Sequence, residues 1–367
     1  MNPTEDPVLD SFSPDYISAR ALWLALAVER GLAVESNLHP LAGPAGEELA
    51  MDVVREGPAD AENVLLTTSA VHGVEGHAGC GVQAGLLRLG GTLLGPDDGR
   101  TAIVHVHAVN PHGFAWGRRV THENADLNRN FVDFGHALPE HPDYAAIHAL
   151  LLPPQWPPTG ENEAALQALL DAMGPRRAQM AITKGQHTHP DGMFFGGLEP
   201  TWSARVFRDV LRRHAGRCRR LAWIDLHTGL GPSGVGERIF AAFDAAAVPR
   251  ARRWWGDGVT SVETGSSTSI PMTGPIQWAV QQECPQAEYT GICLEYGTRP
   301  MQEVLMALRA DHWLHQHPEC AAPLAAQIRQ TLRDAFYVDT DAWKQQVWAQ
   351  GLQATQQAIA GLREANA

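Results

Sequence analysis

The sequence predicts an α/β domain built on a mixed, mostly parallel twisted sheet with helices on both faces. Three observations carry this. Short apolar runs alternate with stretches of helical periodicity along most of the chain. The runs are apolar throughout rather than at every second residue, as strands covered on two faces are. A chain of 367 residues with 44% hydrophobic and 19% charged residues also has the composition of a globular protein with a large core. No internal repeat or low-complexity segment divides it, and one domain over 1–367 is expected.

The elements follow in order. Tyr16, Ala19, Leu22, Trp23, Leu26 and Ala27 recur at helical spacing and Gly31 offers a stop, which places an N-terminal helix over 15–31. Strands are expected at Leu49–Val54, Val64–Ala70, Ile103–Val109, Leu221–Leu226, Arg238–Phe243 and Gly291–Glu295, several of them bounded by Gly or Pro. Helices are expected at Gly81–Leu89, Glu161–Met173, Trp202–His214 and Met301–His315. A helical and loop insertion occupies about 135–200. Within it the four prolines of Leu151–Gly160 exclude regular structure, and Lys184–Gly197 forms a long Gly-rich loop of the kind that is often functional. Pro318–Ala367 reads as helical throughout, with no evident chemistry.

Charge and cysteine content exclude some classes. With 28 Lys and Arg against 41 Asp and Glu the formal charge is −13, which opposes a phosphate backbone or an anionic membrane surface as partner. The longest apolar run near the start, Ala21–Val28, is far below the roughly 20 residues that span a bilayer, and the acidic start Met1–Asp10 lacks the charged region of a signal peptide. Five cysteines, an odd number without a Cys-x-x-Cys pair, indicate neither a disulfide framework nor a thiolate zinc knuckle. A reducing cytoplasm is the expected setting, with no nucleic acid and no membrane; the oligomeric state is not readable.

Chemistry gathers at strand ends. Val64–Ala70 runs into Val71-His72-Gly73-Val74-Glu75-Gly76, so an imidazole and a carboxylate three residues apart sit where open α/β sheets bind ligands. A second strand ends in Asp225-Leu226-His227-Thr228-Gly229, and His227 supplies a third ligand type. Two imidazoles and a carboxylate leave a fourth position for water, the arrangement of catalytic zinc. The competing reading is a capping Asp beside a satisfied core histidine. A third strand ends in Leu294-Glu295, a buried carboxylate that is either paired with a cation such as Arg299 or acts as a general base. Arg118, Arg119 and Arg129 cluster around Asp126-Leu127-Asn128-Arg129-Asn130-Phe131, and such a cluster in an acidic chain points to an anion to be held. A solvated surface patch is the alternative.

In this order, His72-x-x-Glu75, Asn110-Pro111-x-Gly113, Arg119, Asp126-Leu127-Asn128-Arg129-Asn130-Phe131, Asp225-x-His227 and Leu294-Glu295 resemble the zinc metallocarboxypeptidase family. His72-Gly73-Val74-Glu75-Gly76, Gly185-Gln186-x-Thr188-His189-Pro190-Asp191-Gly192 and Asp225-Leu226-His227-Thr228-Gly229 resemble an uncharacterised bacterial branch of it. The resemblance covers about residues 45–315 and the N-terminal helix. It implies one zinc ion per chain on His72, Glu75 and His227, with Asp126 holding the other imidazole nitrogen of His72. It implies Glu295 as general base, Arg119 as polariser of the scissile carbonyl, and Asn128 with Arg129 as holder of a substrate carboxylate. The implied substrate is a small peptide or an acylated amino acid, cleaved at an amide bond. His187 and His189 read as loop residues. Classical members carry a mobile tyrosine well before the base, but 262–278 contains none. Two other readings compete: a deacylase like aspartoacylase and succinylglutamate desuccinylase, which shares the constellation, and a non-catalytic binding module that keeps the fold.

Overall fold

A computed structural model describes residues 8–94, 98–242 and 244–364 of the chain. The acidic start before Val8 and the expected strand end at Phe243 lie outside the described residues.

Seven strands form one sheet: β1 (Val34–Leu38), β2 (Ala50–Glu56), β3 (Asn63–Thr68), β4 (Thr101–His107), β5 (Arg220–Ser233), β6 (Gly236–Phe240) and β7 (Glu288–Gly297), in the order β1-β2-β4-β3-β5-β7-β6. The four central strands β4, β3, β5 and β7 run parallel, and the two edges are closed by antiparallel pairing. The mixed α/β architecture read from the sequence is therefore present. β1 was not anticipated: Val-Glu-Ser-Asn-Leu is half exposed at the sheet edge and lacks the apolar run that marks the central strands.

Why the central strands read as continuous apolar runs is visible in the packing. Leu65, Ile103, Ile224 and Ile292 face one apolar cluster while Val64, Val104, Leu221 and Trp223 face another on the opposite side. Every residue of β3 and β4 is buried. Each aliphatic side chain so buried contributes on the order of 1.5–3 kcal/mol.

Helices cover both faces: α1 (Tyr16–Glu29), α2 (Gly76–Leu89), α3 (Pro142–Leu151), α4 (Gly160–Met173), α5 (Pro175–Thr183), α6 (Trp202–His214), α7 (Val248–Trp255), α8 (Met301–Gln316), α9 (Ala322–Phe336) and α10 (Asp341–Glu364). The side chain of Asp15 accepts from the Ser18 N–H at the start of α1, and Tyr16, Ala19, Trp23, Leu26 and Ala27 form its buried face. Thr159 and Thr201 cap α4 and α6 in the same way. The C-terminal stretch is two helices rather than one, interrupted at 337–340. The inserted helices α3, α4 and α5 pack with α8 and α9 around a separate apolar cluster that includes Leu166, Ile182, Leu308 and Phe336. Among the described residues no helix is long and apolar enough to cross a membrane.

Candidate active site

The parallel register aligns the ends of β3, β5 and β7. Thr68 lies opposite Asp225, and His227 lies directly opposite Glu295. Because side chains alternate along a strand, Asp225 and His227 share one face of β5, as Cys293 and Glu295 share one face of β7. Beyond β3 the chain turns through His72 into a short 3-10 turn, Gly73–Glu75, before α2 begins. Gly73 and Gly76 are required here by close approach rather than by backbone angle. A Cβ on Gly73 would stand 2.0 Å from the Gly113 carbonyl carbon, and one on Gly76 would stand 2.6 Å from the Phe114 ring.

The result is a buried cluster. His72 Nδ1 is 2.8 Å from Glu75 Oε1, His227 Nδ1 is 3.0 Å from Glu75 Oε2, and the two Nδ1 atoms are 3.2 Å apart. The outward-facing nitrogens are held from behind: His72 Nε2 is 3.1 Å from Asp126 Oδ1 and His227 Nε2 is 2.9 Å from Asp225 Oδ2. Two imidazole nitrogens and a carboxylate oxygen, all within 4.8 Å of one another, could hold a metal ion. Zinc ligands at about 2.0–2.1 Å in a tetrahedron lie about 3.3 Å from one another, close to these spacings, so the donor set fits zinc. Burial opposes ionisation of Glu75, yet His72 and His227 hold its carboxyl well below the usual range. Burial likewise opposes a charge on His227, but Asp225 and Glu75 raise its pKa well above the ordinary value.

Asp225 was not singled out by sequence reasoning, where Asp-x-His was open to a capping interpretation. The structure gives it a fuller role. Its Oδ1 accepts from the Thr68 hydroxyl at 2.5 Å, and its Oδ2 accepts from Gln277 Nε2 at 3.0 Å as well as facing His227. The period-two placement of Asp225 and His227 on one strand face was the signal available.

Glu295 sits beside this cluster with 8% of its surface exposed. Burial, and then the charge of Glu75, pushes its carboxyl up to about 7, against the opposing pull of His227 and the Leu230 N–H. That N–H donates to Glu295 Oε1 at 2.9 Å, and Arg299 is not its partner. Arg119 donates from Nε to Asp126 Oδ2 and from Nη1 to Glu75 Oε1, both at 3.1 Å. Burial disfavours its charge, but Asp126 and Glu75 more than compensate and raise its pKa.

Arg118 corrects the expectation of three gathered guanidiniums. It turns away to Asp311 and Asn124, so the cations at the site are Arg119 and Arg129. Arg129 is buried and donates to the carbonyls of Thr183 and Asn128, with no carboxylate partner among the described residues. Burial lowers its pKa to about 10 despite the nearby Asp126. Asn128 Oδ1 is taken by the Ile276 N–H at 2.9 Å.

One cavity of about 900 Å³ lies against this cluster. His72, Glu75, His227, Glu295, Arg119, Asn128 and Arg129 line it, whereas Asp126 stands behind His72. His187 and His189 of the Gly-rich loop do not line it, but Phe194 of that loop does, with the Arg119 and Arg129 guanidiniums 5.4 and 5.5 Å from its ring centre. Phe336 also lines it, so the C-terminal helical region does contribute to the site. No tyrosine lines the cavity among the described residues. Tyr289 instead donates its hydroxyl to the Ala241 carbonyl.

No curated protein sequence matches the chain. Several solved structures do, at low identity. Bovine thrombin-activatable fibrinolysis inhibitor in complex with tick carboxypeptidase inhibitor is 11% identical, with 97% of this chain and 99% of that chain covered and a TM-score of 0.49. Carboxypeptidase A from Helicoverpa armigera is 13% identical, with 88% and 73% covered and a TM-score of 0.45. A metallo-carboxypeptidase from Burkholderia cenocepacia is 12% identical, with 96% and 69% covered and a TM-score of 0.43. A family model matches residues 12–350, nearly the whole chain, and by that match the chain belongs to DUF2817, a family described as a protein of unknown function.

Proposed function

We propose that the chain is a zinc-dependent hydrolase that cleaves an amide bond next to a free carboxylate, as a carboxypeptidase-like peptidase or a deacylase of N-acyl amino acids. One observation carries the reading: a buried His72, Glu75 and His227 donor set, a spare carboxylate on Glu295 and a cation on Arg119 line one wall of a single cavity. Two imidazoles and a carboxylate buried against one another, with a further carboxylate and a guanidinium beside them, are costly to bury without a function to hold them there.

One zinc ion on His72, Glu75 and His227 would supply a Lewis acid and a water acidic enough to attack near neutral pH. Asp126 and Asp225 fix the ring orientations from the Nε2 side and would leave both Nδ1 atoms to hold the metal. Glu295 takes the proton of the attacking water and hands it to the leaving nitrogen; its burial and raised pKa suit both halves of that transfer. Arg119, which lines the cavity with Nη1 3.1 Å from Glu75 Oε1, would face the oxygen on which negative charge develops. Arg129 is a buried cation with two of its five N–H donors still uncommitted to the described partners, and with Asn128 it suits a substrate carboxylate.

The size of the cavity, about 900 Å³, favours a small substrate. Leu166 and Leu170 of α4, Ile182 of α5 and Leu305 and Leu308 of α8 line part of it.

The test is Glu295→Gln in zinc-loaded protein, assayed on N-acyl amino acids and dipeptides. Loss of the base should cut turnover by about 10²- to 10⁴-fold while zinc content stays at the wild-type level. Wild-type turnover in this variant would remove Glu295 from the reaction.

A further inference from the structure

The compartment under the inserted helices has no role in the chemistry above. Its wall is formed by Leu166, Leu170, Ile182, Leu305, Leu308 and Phe336, members of or packed on one apolar cluster. Leu166, Ile182, Leu308 and Phe336 are each at most 6% exposed, whereas the polar groups of the same lining, Gln167, Asp171 and Gln302, are exposed. The buried cation on this wall, Arg309, is committed to both carboxylate oxygens of Glu163 and to the carbonyls of Leu150 and Leu151. The inner wall therefore offers mainly methyl and ring surface, and its half-buried polar side chains, Gln179 and Thr183 of α5, already donate to the Thr268 and Gln179 carbonyls.

We infer that this compartment takes the hydrocarbon chain of a long-chain N-acyl amino acid, with the scissile amide at the His72, Glu75 and His227 cluster and the carboxylate at Arg129. This rests on the hydrolase reading and narrows it. A peptide strand in the same place would bring backbone N–H and C=O groups against a mainly apolar wall with few groups to pair them, at a cost that a hydrocarbon chain does not incur. A cavity of about 900 Å³ lies near the upper end of the roughly 300–1,000 Å³ that holds drug-sized ligands, and an acetyl or succinyl group would fill little of it. Each methylene buried is worth about fourfold in binding, so chain length is the variable to which such a wall responds.

Binding and turnover test this separately. Calorimetric titration of zinc-loaded Glu295→Gln protein with N-acetyl-, N-hexanoyl- and N-decanoyl-leucine should give affinities that rise with chain length, at least about 100-fold from acetyl to decanoyl. Wild-type kcat/KM for the same compounds should rise in parallel. Leu170→Asn and Leu305→Asn, each on a partly buried residue, should flatten that dependence. Equal affinity for acetyl and decanoyl compounds overturns the inference and leaves a hydrolase of short acyl groups or peptides. Length-dependent binding with no turnover of any amide by wild-type protein keeps the apolar compartment and overturns the hydrolase reading.

Discussion

Asp225 offers a quantitative test because its partners are fully specified. Its Oδ2 faces His227 Nε2 and Gln277 Nε2, its Oδ1 accepts from the Thr68 hydroxyl, and Thr68 Oγ1 in turn accepts from Trp223 Nε1 at 2.7 Å. In Asp225→Asn the remaining oxygen can keep His227 and Gln277, but the new amide then turns a donor toward Thr68. The Thr68 oxygen can accept it only if its own hydrogen is left without an acceptor in a fully buried site. One unsatisfied buried hydroxyl costs on the order of 1–3 kcal/mol. His227 also loses the negative charge that would make its Nδ1 a stronger ligand. Removal of such an outer partner typically weakens metal binding about 10- to 100-fold, or roughly 1.4–2.7 kcal/mol. Competition with a chromophoric zinc chelator measures this Kd directly, and circular dichroism confirms that the fold survives. A Kd within about twofold of wild type in a folded variant would refute the claim that Asp225 orients His227.

Other outcomes follow from the same geometry. Arg129→Gln should lower kcat/KM by about 10- to 100-fold on a substrate with a free carboxylate and leave its amidated counterpart much less affected, since a charge-assisted hydrogen bond contributes about 1.5–3 kcal/mol; equal losses on both would exclude a carboxylate clamp. Gly73→Ala should displace the turn from Gly113, lower the melting temperature and weaken zinc binding, because overpacking of this kind costs typically about 1–3 kcal/mol; an unchanged melting curve would contradict the close approach. Burial lowers His77 and His107 to about 4, so both fold as neutral rings and take up protons more readily when unfolded. Stability from them is complete above the unfolded value of about 6.5 and is lost as the pH falls toward 4; a melting temperature that stays level across that window would argue against this linkage.

How much of this was legible in the sequence depends on how local each signal is. The central strands declared themselves because both faces are buried, so Leu65 and Leu66 are equally apolar although they enter different clusters. β1 did not, since an edge strand with one partner carries a polar sequence. His72, Glu75, His227 and Glu295 were visible as ligand-type or acidic residues ending apolar runs, and the fold brings them together because parallel register aligns those ends. Arg118 and Arg119 were indistinguishable as neighbours; Asp311, 193 residues away, decides which one turns aside. Asp225 depends on Thr68 and Gln277, 157 and 52 residues distant, and no short motif encodes that meeting. Phe336 lies in the stretch read as helical with no evident chemistry and Ile182 in the insertion, and only the placement of the insertion beside α8 makes these buried residues cavity wall.

The metal content of the purified chain bears most directly on the central claim. Wild-type protein, produced without a histidine tag and dialysed after zinc loading, is measured by elemental analysis beside His227→Ala. The account predicts close to one zinc per chain in wild type and loss of that zinc in the variant, since the cluster offers three protein ligands and His227 is one of them. Wild-type protein that retains no zinc, or a variant that retains as much as wild type, would contradict it.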